Sequence, residues 1–178
     1  MNKTVTGLVV LLCGGLFAAC VGTTPDAPTP RSGLVDAAPS ATALVDRLLA
    51  ALAAKDPDAL RRLRVTEAEY REILLPGSVP EGQPLRRPSQ AFGDFAWGRL
   101  DTKSNYYEQY LLAQYGGRPL TLKTVAYEKG EGRFANYTVH RQLRLALEDE
   151  TTGAEVQLAT GSIVEVAGAF KFASYVKD

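Results

Sequence analysis

An α+β fold, with N-terminal helices packed on a curved four-stranded antiparallel sheet, is what the sequence predicts, and three observations predict it. Apolar residues recur at helical spacing in the first half of the chain, then shift after Leu120 to runs rich in β-branched and aromatic residues. Short turn-forming segments separate those later runs, which joins neighbouring strands antiparallel. The chain has 178 residues, a length that fits one ordinary domain. Helices that precede such a sheet pack on one of its faces, and that face is expected to be concave.

The chain opens with an export pattern. Lys3 is followed by the apolar stretch Gly7–Ala19, which is shorter than the roughly 20 residues that a membrane span needs. Its end, Leu16-Phe17-Ala18-Ala19-Cys20, resembles the bacterial lipoprotein cleavage box, with Phe17 where a smaller aliphatic residue is usual. That resemblance implies cleavage before Cys20, lipidation of its sulfur and a membrane lipid anchor. The chain has 2 cysteines, Cys13 within the apolar stretch and Cys20, so a processed chain has no pair for a disulfide. Val21 stands where an inner-membrane-retained lipoprotein often has aspartate, so the resemblance implies the outer membrane. Thr23-Thr24-Pro25-Asp26-Ala27-Pro28-Thr29-Pro30 lacks apolar mass and reads as a semi-extended tether. The expected division is a signal peptide over 1–19, a lipidated cysteine and tether over 20–39, and one domain over 40–178.

Ser40 is the expected cap of a helix over Ala41–Lys55, whose Leu44, Val45, Leu48, Leu49 and Leu52 form one stripe. Asp56-Pro57 opens a short second helix with Leu60 and Leu63 inward and Arg61, Arg62 and Arg64 outward. Thr66 and Glu69 make a capping box for a third, burying Tyr70, Ile73 and Leu74 and stopping at Pro76. The proline-rich stretch 76–89 reads as a long loop. Two further helices are expected, about Gln90–Leu100 and Asn105–Tyr115, the latter closed by Gly116-Gly117. Strands follow at Leu120–Tyr127, Arg133–Glu148, Ala154–Val166 and Ala169–Val176.

The helix that runs into Lys55-Asp56-Pro57-Asp58-Ala59-Leu60, together with the ending Gly161–Phe172, resembles the nuclear transport factor 2-like superfamily. The resemblance spans about Ser40 to Asp178 and implies a cone in which helices close over a curved sheet; a cystatin-like arrangement is the rival. That superfamily includes enzymes, binding modules and structural domains, so kinship does not fix function.

Strand alternation gives a site hypothesis. Tyr137, Val139, Leu143, Leu145 and Leu147 share a face, and Arg141 falls among them, with His140 on the opposite, polar face. Pairing Leu145 with Val156 and Arg141 with Thr160, then folding the last strand back, gathers Arg141, Thr160, Ser162 and Ser174 with Tyr137 nearby. This would be the polar floor of a small pocket suited to an acidic ligand. The competing readings are an open sheet edge that leaves the Arg141 guanidinium in water, and a β-bulge, with Thr160-Gly161-Ser162 as the candidate, which would exchange faces. Phe92, Phe95, Trp97, Tyr106, Tyr107, Tyr110 and Tyr115 are either pocket walls or plain core.

A formal net charge of +0 leaves no basic excess for nucleic acid. No catalytic set, metal-ligand cluster or cofactor motif is legible: the chain has 1 histidine, and Thr160-Gly161-Ser162 lacks the glycine framework of a phosphate loop. The sequence therefore points to a lipid-anchored envelope module that binds a small acidic ligand or an envelope protein. The alternatives are a structural lipoprotein with a filled cone, and a small-molecule lyase or isomerase with a buried carboxylate base.

Overall fold

A computed structural model describes residues 33–177. The expected signal peptide, Cys20 and the tether up to residue 32 lie outside the described residues. The described residues are α+β: helices come first, and two antiparallel sheets follow.

Helix α1 (Ala41–Ala53) starts where the Ser40 hydroxyl accepts the Ala43 N–H, and its leucine stripe is buried. Helix α2 (Pro57–Arg62) is capped by Asp56. Both halves of the Thr66/Glu69 capping box form at α3 (Glu67–Glu69). The chain then widens into a π-helical turn, Tyr70–Leu74, before α4 (Leu75–Gly77). Pro76 cannot donate to the ordinary helical ladder, and a wider turn ahead of it lets the helix run on to Gly77 instead of stopping. One helix, α5 (Gln90–Tyr115), replaces the two expected. No proline interrupts residues 101–104, and the Asn105 side-chain amide donates to Asp101 at 3.0 Å across one helical turn.

The strands are β1 (Leu120–Tyr127), β2 (Glu131–Arg133), β3 (Thr138–His140), β4 (Leu143–Asp149), β5 (Glu155–Thr160), β6 (Ile163–Val166) and β7 (Ala169–Phe172). They form a three-stranded sheet in the order β1-β4-β5 and a four-stranded sheet in the order β2-β3-β6-β7, in place of one sheet curled into a cone. The expected second strand breaks at residues 134–137 and again at Arg141-Gln142, and the expected third at Gly161-Ser162. Gln142 takes a left-handed φ of 53°, which reorients the strand between β3 and β4. At Gly161 a side chain would collide with the Ser174 carbonyl, so the C-terminal segment crosses there. Hydrogen bonds stitch the two sheets along this seam: Leu143 N–H donates to Gly161 O at 3.0 Å and Gln142 N–H to Ser162 Oγ at 3.2 Å.

The register also differs from expectation. Leu145 faces Leu158, and Leu143 faces Thr160. Asp149 is the reason: its Oδ1 accepts the N–H groups of Thr151 and Thr152, which starts the turn after Asp149 and carries β4 further than the alternation suggested.

Two packed clusters result. The larger joins α1, α2, Leu111 of α5 and the leucines of β4 and β5. The smaller joins Val65, Ile73 and Leu74 to Val164 and Val166 of β6, with Tyr70, Trp97, Tyr137 and Val139 half-buried around it. Residues 33–39 are not wholly tether: Ala38 is buried and exchanges two 2.9 Å backbone bonds with Phe170, so packed structure begins before Ser40.

Candidate functional site

The expected polar floor does not assemble as the strand alternation implied. Arg141 is exposed and lies over Gly132, because the kink at Gln142 breaks the alternation that was to turn it inward. His140, expected on the outer face, is buried instead. Its ring lies between Tyr127 and Phe170, with Nε2 3.0 Å from Glu165 and Nδ1 3.0 Å from Glu131 but off the hydrogen-bonding direction. Thr160, Ser162 and Ser174 do come together around Gly161, but backbone partners use their hydroxyls. Thr160 donates to Tyr175 O, Ser162 accepts from Gln142 and Ser174 accepts from Val176. Arg64, expected outward, is 5% exposed and donates to Asn105 and Asp101.

An apolar groove forms elsewhere, under the first half of α5. Its floor is one face of the β3-β6-β7 sheet, with Tyr137, Val139, Val164 and Ala173; the π-turn supplies Tyr70 and Leu74, and α5 supplies Phe92 and Leu100. This stretch encloses about 400 Å³. A second stretch of about 420 Å³ continues past Tyr70, Phe92 and Leu100 to Phe95, Arg99, Lys103 and Ser174. Two residues singled out from sequence, Tyr137 and Ser174, therefore line it, although on other grounds than those that selected them.

The groove stays open because α5 spreads its apolar residues around its circumference and does not gather them in one stripe. In its first half only Gly93 is fully buried, closely approached by the Arg71 side chain, while Phe92 and Phe95 are 53% and 62% exposed. Trp97 anchors the helix by packing on Tyr70, ring centroids 5.6 Å apart. Burial holds the Tyr137 phenol up at about 12 and raises that of Tyr70, so both tyrosines stay neutral and present aromatic walls.

Of the buried carboxylates Glu69, Glu108 and Asp149, the first two were not legible as such. Glu69 is wholly buried; Lys171 donates to both its oxygens at 3.0 and 3.3 Å, and the N–H groups of Val35 and Thr66 add two bonds. Burial raises its pKa, but these donors outweigh burial and hold it below the ordinary value. Glu108 goes the other way: burial dominates over Arg64 and Arg61 and raises its pKa. It is closed off at 3% exposure, with Oε2 3.8 Å from Arg64 Nε. Glu69 could have been suspected from its capping box, but nothing in the local sequence marks Glu108. Among the described residues no group of His, Cys, Asp and Glu is placed to hold a metal ion.

The fold and site together define an α+β domain with an open, aromatic-walled groove. No protein-family model matches the sequence, and no curated protein or solved structure matches it.

Proposed function

We propose that this chain is a lipid-anchored protein of the bacterial outer membrane whose domain is a binding module, with the groove under α5 taking an apolar ligand. The anchor rests on the Gly7–Ala19 stretch and the box ending at Cys20. Kinship with the nuclear transport factor 2-like superfamily rests on the order of helices before an antiparallel sheet and on the final hairpin. The observation that carries binding is the groove: about 400 Å³ walled by Tyr70, Tyr137, Val139 and Phe92, within the size range of small-molecule sites. Arg141 has no part in this reading.

Trp97 is the chain's single tryptophan and packs against a groove wall, so its emission reports occupancy. An apolar fluorescent probe should quench Trp97 saturably, and Ala173→Phe, which fills the groove floor, should weaken the probe about tenfold or more while leaving the circular-dichroism spectrum unchanged. Equal affinity in the two proteins refutes groove binding. Separately, Cys20→Ser should abolish lipid labelling in cells; persistent labelling refutes the anchor.

A further inference from the structure

Charge around the groove is one-sided, and the cause lies in α5. All the acidic residues of this helix, Asp94, Asp101 and Glu108, are engaged by arginines that precede it, from α2, the α2–α3 connection and the π-turn: Asp94 by Arg71 at 2.8 Å, Asp101 by Arg64 at 3.3 Å, and Glu108 by Arg61 at 3.4 Å and Arg64 at 3.8 Å. The helix's own cations in this region, Arg99 and Lys103, have no ion-pair partner among the described residues. Both line the groove, and the Arg99 guanidinium sits 5.7 Å from the centroid of the Phe95 ring. Arg86 stands at the other stretch, likewise without an ion pair among the described residues. Among the described residues no Asp or Glu lines either stretch. The groove between α1 and α2 is a useful control, since there Arg47 and Arg62 are balanced by Asp36 and Asp56.

We infer that the occupant of the groove is a single-chain anionic amphiphile, a fatty-acid-like carboxylate, with its tail against the sheet floor and its head at Arg99 and Lys103. This rests on the binding reading above and adds the head group to it. The exposed cations have long apolar stems that can line a greasy wall while their heads stay at its rim. A carboxylate there gains charge-assisted hydrogen bonds from Arg99 and Lys103 without displacing any ion pair described above. A cationic or neutral head gains nothing comparable. The volume suits one chain, whereas a protein partner would need about 800 Å² of matching surface on each side.

The test uses the full chain in phosphatidylcholine vesicles and reads quenching of Trp97 by brominated decanoic acid, brominated decanol and a brominated decyl trimethylammonium, each at pH 7.5. The acid should reach half-quenching at a concentration at least about fivefold below the alcohol, with the ammonium weakest. The doubly substituted Arg99→Gln, Lys103→Gln protein should lose the acid's advantage and keep the alcohol curve; both positions are exposed, so folding is not at stake. Coincident acid and alcohol curves in the unsubstituted protein overturn the head-group inference and leave the groove reading standing. Absence of quenching by all three overturns both. An acid advantage that survives the double substitution assigns it to the vesicle surface and also overturns the inference.

Discussion

The two sides of this domain handle apolar surface in opposite ways. On one, α1 and α2 bring their leucines into one buried cluster with those of β4 and β5, and Leu44, Leu48, Leu52, Leu60, Leu145 and Leu147 are each at most 1% exposed. On the other, the first half of α5 lies over the β3-β6-β7 sheet with aromatic residues distributed around the helix, and its close contacts at Gly93 and Trp97 are with Arg71, Leu75 and Tyr70 of the π-turn and α4. A helix with one stripe seals; a helix without one leaves a groove. The difference lies in residue periodicity more than in total apolar content, since Phe92, Phe95, Trp97 and Leu100 supply as bulky a set as the leucines do.

The largest effect that distinguishes the two sides should come from truncation. Leu48→Ala removes fully buried methyl groups from the sealed side and should cost about 2–5 kcal/mol in urea unfolding. Val139→Ala, at the half-buried groove floor, should cost under about 1.5 kcal/mol, because less transfer energy is lost where the side chain is partly wet. Equal costs would mean that the groove side is as tightly packed as the leucine side.

A second contrast sharpens the comparison with charge. Glu69 lies on the groove side of the four-stranded sheet, locked to Lys171, whereas Glu108 lies beneath α2, facing Arg64 and Arg61. Glu69→Gln leaves a buried lysine short of its counter-charge and should cost about 3–5 kcal/mol at pH 7. Glu108→Gln mimics the protonated acid that burial already favours, and should cost less than about 1 kcal/mol. The pH dependence has opposite signs. With a folded pKa below 4.5, Glu69 contributes stability above that ordinary value and loses it as pH falls through the lowered one. With a folded pKa above 4.5, Glu108 contributes stability in acid and loses it as pH rises through the raised one. Denaturation midpoints of both variants against the parent between pH 3 and 8 should therefore converge toward acid for Glu69→Gln. The Glu108→Gln variant should fare best relative to its parent at neutral pH. Parallel curves would show that neither shift operates.

The smallest effect is expected at the seam. Arg141→Leu and Arg144→Leu should each change stability by less than about 0.5 kcal/mol, since both side chains are solvent-facing and the ion pair of Arg144 with Glu128 is at the surface. A loss of several kcal/mol at Arg141 alone would restore an inward arginine.

Much of the fold is legible in the sequence because its signals are local. Ser40, Asp56 and the Thr66/Glu69 pair start their helices by bonds that span three residues, and the stripe from Leu44 to Leu52 fixes which side of α1 is core. Alternation along Leu143, Leu145 and Leu147 likewise marks the inner face of β4, whatever its partner. The candidate site was legible only in fragments. The sequence marks Tyr137 and Ser174, but only through a continuous alternation from Tyr137 to Leu147. A single left-handed residue, Gln142, cancels that alternation, and φ at one glutamine is set by what the neighbouring strand and the crossing C-terminal segment require. The same limit holds for Glu108, Arg64 and His140. Their burial follows from which distant elements meet: α2 against α5, β3 against β6. Capping, helical stripes and strand periodicity are short-range physics that the chain writes in order; the groove, its cations without an ion pair among the described residues, and the burial of Glu69 and Glu108 arise only when segments far apart in sequence exclude water from each other.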